Sequence, residues 1–145
     1  MLEDFPKASQ CSQAFWEAVG QQIPEWIYVR ESKMTAGEVR RDFIHCHAIV
    51  LQALGRAGRD LYIQFPGEVS QRIERLRKID WARTNAPVWE GRAMIGGAMA
   101  KSGLNVTLTT NEIKRVLGLT LSADEQHAED AWAAARSPHS KSTSK

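Results

Sequence analysis

Arginine is concentrated where this chain is least regular. From residue 72 to residue 92, Arg72, Arg75, Arg77, Lys78, Arg83 and Arg92 face only Glu74, Asp80 and Glu90. That stretch is more positive than the whole chain, whose formal charge is +2 from 19 basic and 17 acidic residues. Guanidinium forks hold phosphate oxygens bidentately, so a local arginine cluster offers chemistry that the weak overall field does not. Within IDWARTNAPVWEGRAMIGG, residues 79–97, the arginines are interleaved with Trp81, Asn85 and Trp89. An Asn amide can bond a base edge or a phosphate, and an exposed indole can stack or wedge. Binding of a polyanion follows, with Arg72, Arg75, Lys78, Arg83, Asn85 and Arg92 as candidate contacts to double-stranded DNA. Two readings of Trp81 and Trp89 stand side by side: lids on a helical core, or an exposed anchor for a protein partner.

Catalytic constellations are scarce. Asp60, Asp80 and Glu90 have no paired carboxylate in sequence, and no Ser, His and Asp fall in a nucleophile-elbow context. GRAMIGGAMAKSG, residues 91–103, lacks the spacing and the strand-to-helix setting of a phosphate loop. HCH at His45, Cys46 and His47 suggests a metal site, yet on a helix positions i and i+2 point about 200° apart, so the two imidazoles cannot close on one ion. Cys46 reads instead as a small buried apolar residue, and two cysteines in 145 residues imply thiols rather than a disulfide framework. The sequence predicts a binding protein and not an enzyme, with no metal and no cofactor.

These residues must be positioned by helices. With 43% hydrophobic and 25% charged residues, 145 residues make one domain able to bury a core. No apolar run approaches the roughly eighteen residues of a membrane span, and MLEDFPKASQ lacks the order of a signal peptide, which predicts a cytoplasmic protein. Helices are predicted near residues 9–23, 35–56, 67–79, 110–118 and 123–135. The first is capped by Ser9 or Ser12 and ended by Pro24; EWIYVR then reads as extended. Thr35 with Glu38 makes a capping box for the longest helix, whose stripe of Val39, Phe43, Cys46, Val50 and Leu54 ends at Gly55 and Gly58. LYIQFPGE reads as extended and leads to the helix that carries Val69, Ile73, Leu76 and Ile79. NVTLTT alternates like a short strand, and Thr109 with Glu112 and Ser122 with Glu125 make two further capping boxes. RSPHSKSTSK, polar and basic, predicts a disordered tail over 137–145. The fold class is mainly α, with a short β element and an irregular Trp/Arg-rich central loop.

The run IDWARTNAPVWEGRAMIGG, followed after a spacer by NVTLTTNEIKRVLGLTLSADEQ, resembles the C-terminal part of the DGQHR-domain family of DndB-like DNA sulfur modification proteins. The matching positions are Ile79, Asp80, Trp81, Arg83, Asn85, Trp89, Gly91 and Arg92, then Ile113, Lys114, Leu117, Gly118 and Leu119. AFWEAVGQQIPEW and VRRDFIHCHAIVLQALG resemble the preceding helices, so the likeness covers roughly residues 12 to 130. The Asp-Gly-Gln-His-Arg pentapeptide that names the family is absent, so no residue inherits a role from it. The resemblance implies that residues 1–136 are the C-terminal portion of a longer domain, which is α+β in full-length members. It also implies a DNA-binding regulator or accessory of bacterial DNA phosphorothioation, acting in transcription regulation. The alternative is a module that docks a separate N-terminal half or another sulfur-modification protein without touching DNA. A helix-turn-helix reading of the last two helices fits poorly, because LGLTLS is a long turn and ADEQHAEDAW is acidic where phosphates would lie.

Overall fold

The computed structural model describes residues 4–136, with side chains described from Ser12. In chain order the elements are α1 (Asp4–Gln22), α2 (Pro24–Arg30), α3 (Ala36–Asp42), α4 (Ala48–Gln64), α5 (Val69–Ile73) and a 3-10 helix (Glu74–Lys78). There follow α6 (Ala86–Trp89), the strands β1 (Met94–Ile95) and β2 (Ala98–Met99), α7 (Gly103–Leu117) and α8 (Ala123–Arg136). The fold is mainly α with a short β element. No helix among the described residues is long and apolar enough to cross a membrane. The predicted tail over 137–145 lies outside the described residues.

The core forms where α4 packs along α7, the most extensive helix pair among the described residues. One face of α4 buries Val50, Ala53, Leu54, Ala57 and Leu61 at helical spacing. Against it lie Val106, Ile113 and Leu117 of α7, Phe15 and Val19 of α1, Ile23 between α1 and α2, and Ile73 and Leu76 around the 3-10 helix. Burying an aliphatic side chain fully contributes about 1.5–3 kcal/mol, so this cluster dominates the favourable side of folding.

Several predicted elements are corrected by these contacts. The single helix expected over 35–56 is two helices, because the chain breaks at Phe43–His47. There Phe43 turns extended and pairs with Ala82, and Ile44 N–H donates to Trp81 O at 2.9 Å. EWIYVR is helical, since Pro24 fills the first turn of α2 as well as stopping α1. LYIQ continues α4, and Gly55 and Gly58 lie inside that helix rather than at its end. NVTLTT is the first half of α7. Ser102 caps it by accepting from Asn105 N–H, and the Thr109 and Thr110 hydroxyls return to the carbonyls of Asn105 and Val106. Side chains that satisfy themselves on the preceding turn can be buried on a helix, so the alternation does not make a strand. The predicted Thr109–Glu112 box therefore falls mid-helix. The boxes of Thr35 with Glu38 and of Ser122 with Glu125 are both formed. The β element is instead the hairpin of β1 and β2, Met94 opposite Met99, inside the stretch expected to be irregular.

Gly58 explains why α4 tolerates a helix-weakening residue. A Cβ there would lie 2.5 Å from Phe15 Cζ, so α1 can approach only because the hydrogen is small. At Gly55 the nearest foreign atom, Trp16 Cζ2, would be at an ordinary 3.9 Å. Gly55→Ala should therefore stabilise the protein by up to about 1 kcal/mol through helix propensity. Gly58→Ala should destabilise it by about 1–3 kcal/mol through overpacking. Paired urea melts read the difference, and two variants shifting in the same direction would refute it.

Candidate nucleic-acid interface

The segment 79–83 lies against the break between α3 and α4. Besides the Ile44 bond, Arg83 N–H donates to Asp42 O at 2.9 Å. Asp80 organises the approach: its side chain accepts from Ala82 N–H at 3.1 Å, and its carbonyl accepts from Trp89 Nε1 at 2.7 Å and Asn85 Nδ2 at 2.9 Å. Trp81 and Trp89 are both buried and stack at 5.4 Å with their rings 10° apart. The tryptophans are thus core lids, and the exposed-anchor reading is corrected. The amide of Asn85 bonds Asp80 O and so holds the loop closed.

Buried beside the stack, His45 accepts from Trp26 Nε1 at Nδ1 (3.2 Å), so its proton sits on Nε2, 3.0 Å from Glu25 Oε1. Burial depresses the His45 pKa, and Glu25 only partly offsets this. Burial likewise pushes the Cys46 thiol up, away from reactivity. His45 and His47 face different partners, since His47 meets Arg83.

The predicted arginines divide by environment. Arg72 and Arg75 both donate to Leu117 O, at 2.9 and 3.1 Å, and so satisfy the C-terminal end of α7, where positive charge is favoured. Arg72 also lies 3.4 Å above the Phe65 ring. Gly118, at φ 79°, takes the left-handed backbone that ends α7, and a Cβ there would also displace the Arg72 and Arg75 guanidinium ends. Arg92 is 2% exposed and forms a bidentate pair with Glu129, donates to Leu108 O at 2.7 Å and stacks under Trp132. All three serve the fold, and Arg92 lies too deep to reach a phosphate. Lys78 is exposed on the 3-10 helix.

Arg83 leads to a different site. Its Nε and Nη2 donate to Arg40 O at 3.3 and 3.0 Å, Nη1 donates to Gly97 O at 3.4 Å, and Nη2 meets His47 Nε2 at 3.0 Å. His47 Nε2 also lies 3.0 Å from Arg40 O, so the imidazole, the carbonyl and the guanidinium meet in one polar cluster. Arg83 thus joins α3, the start of α4 and the hairpin turn. Beside them lies a cleft of about 310 Å³ in which Arg40, His47, Gln52 and Lys101 provide the charged and polar groups, while Ile49, Met99 and Ala100 provide apolar surface. No carboxylate lines it. The first residues of α4, Ala48 and Ile49, also border it, so the positive end of a 17-residue helix with no acidic residue in its first turn faces the same space. Sequence reasoning missed Arg40 and Lys101. They are far apart in the chain, and Arg40 reads as the solvent face of an unbroken helix.

A family model described as DndB, DNA-sulfur modification-associated, matches residues 3–120. The chain belongs to the DndB family. Comparisons with curated proteins and with solved structures give no match. The family match takes in every residue of the cleft and ends before α8. Helix α8 buries no residue and is held by polar contacts: Glu129 on Arg92, Glu125 on Lys114, and Trp132 Nε1 and Arg136 on Glu90 O. Lys114 is itself buried between Asp60 and Glu125.

Arg72→Ala should cost about 0.5–1.5 kcal/mol of stability, because it removes one of the two guanidinium bonds on Leu117 O. It should leave the salt dependence of any DNA binding unchanged; a folded variant with a shallower salt slope would make Arg72 a phosphate contact after all. A pH dependence follows from α8. Burial would raise the carboxyls of Glu125 and Glu129, but bonds from Lys114 and Ser122 to the first, and from Arg92 and Asn111 to the second, outweigh it and hold both below the ordinary value. With folded pKa values depressed, the unfolded chain binds more protons below about pH 4.5. Their contribution is full above that pH and is lost as the pH falls through the folded values. Thermal melts from pH 7 to 3 should show this loss, and Glu129→Gln should make it shallower; an equally steep loss in the variant would overturn the assignment.

Proposed function

We propose that this DndB-family protein is a DNA-binding regulatory or accessory component of a bacterial DNA phosphorothioation system. It acts in the cytoplasm, binds and does not catalyse. The observation that supports the reading is the cleft beside Arg83, where Arg40, His47 and Lys101 converge from three segments with no carboxylate among them. Arg40 and Lys101 contact the phosphate backbone, and Arg83 positions them. Lys78 adds an outer contact. Base-independent backbone contacts of this kind supply most of non-specific affinity and place a protein on the duplex before any sequence is read. Docking to other sulfur-modification proteins is compatible with this role, but the buried Trp81 and Trp89 do not provide its anchor.

Fluorescence anisotropy of labelled duplexes across a salt series tests the reading. Binding should weaken with salt at a slope of about −0.9 per phosphate neutralised, and Arg40→Ala and Lys101→Ala should each reduce the slope by about one unit. The loss should be similar on unrelated sequences. A folded preparation that binds no duplex at low salt would remove direct DNA contact and leave a protein-docking role.

A further inference from the structure

The lining of the cleft is unusual for a site that takes ordinary phosphate alone. Both non-bridging oxygens of a phosphodiester are strong acceptors, and a site built for them surrounds the group with donors. Here Arg40, His47, Gln52 and Lys101 share the cleft with Ile49 and Ala100, which are 5% and 8% exposed, and with the half-buried thioether of Met99. Part of the surface that would meet the anion therefore offers hydrocarbon and sulfur and cannot donate. Replacing one non-bridging oxygen by sulfur keeps the negative charge but makes one side of the group larger, softer and a poorer hydrogen-bond acceptor. Such a group needs donors on one side and polarizable apolar contact on the other. The volume, about 310 Å³, equals about ten water molecules at their share of liquid volume, enough for the diester with part of its flanking sugars.

We propose that the cleft recognises a phosphorothioate diester in duplex DNA, with the oxygen held by Arg40 and Lys101 and the sulfur against Met99 and Ile49. The proposal rests on the DNA-binding reading above and specifies its ligand. The protein then reads the product of sulfur insertion, and the class of reaction that supplies its ligand is replacement of a phosphate oxygen by sulfur.

The test uses the full chain and one labelled duplex in three forms: unmodified, and with a single central phosphorothioate as each of the two phosphorus diastereomers. Only one diastereomer aims sulfur at the apolar lining, so it should bind about fivefold more tightly than the unmodified duplex at the same salt. Met99→Leu should keep the preference and Met99→Gln should abolish it, read as the ratio of modified to unmodified affinity within each variant. Ala48→Glu places a carboxylate in the cleft at an exposed first-turn position that helices favour, so it should fold even if Met99→Gln does not, and it too should erase the preference. Equal binding of all three duplexes would overturn the inference and leave the DNA-binding reading standing. Retention of the preference by folded Met99→Gln and Ala48→Glu would show that sulfur is read elsewhere. Absence of binding to every duplex would instead remove the reading beneath it.

Discussion

The seating of segment 79–83 against the break between α3 and α4 is the constraint on which the remaining architecture depends. Two backbone bonds join the two strips, from Ile44 to Trp81 and from Arg83 to Asp42, and together they make the Phe43–Ala82 bridge. Trp81 is thereby driven under the helices, where it stacks on Trp89 and meets His45 edge-on at 5.9 Å. Its indole N–H is buried without a partner among the described residues, at a cost of about 1–3 kcal/mol. Two large stacked rings more than offset that through area and mutual contact. Once the strip is seated, Arg83 has no choice of place. Its guanidinium emerges beside Arg40 O and His47, and the cleft follows from that position.

Charge is sorted in this molecule by depth. Arg92 and Lys114 are buried and each meets acidic partners on α8, while Arg72 and Arg75 are used up on the carbonyls ending α7. Removing one member of a buried pair is strongly destabilising, since the other is left uncompensated, so these cations are committed to structure. Arg40 and Lys101 are exposed and face no carboxylate across the cleft. An anion entering the cleft would meet them without first displacing an internal carboxylate. Counting arginines along the chain cannot make this distinction; only the position of the acidic helix does.

Helices whose signals are local were legible. The Thr35–Glu38 and Ser122–Glu125 boxes, the apolar stripe of α4 and the mainly helical class could all be read from short windows, because capping and periodicity act within a few residues. What failed depended on distant partners. No residue in DFIHCH announces a break, because the break exists to pair with Ala82 and Trp81. NVTLTT alternates like a strand, and only the Ser102 cap and the contact with α4 decide for helix. The family likeness was legible from spaced pieces rather than from one signature, since Ile79, Asp80, Trp81, Asn85 and Trp89 form the plug that the fold cannot do without.

The same reasoning links the arginine group of the loop to the cleft beside it. Arg83 belongs both to the predicted arginine group and to the cleft, and it is the only member of that group whose bonds reach α3, α4 and the hairpin at once. A loop rich in Arg and Trp marks a junction, and a junction has its binding surface at its edge rather than in its own side chains. The loop spends Trp81, Trp89, Asn85 and Arg92 on being rigid. Rigidity passes through Arg83 to Arg40 and to the hairpin turn at Gly97, which lie on ordinary stretches of sequence.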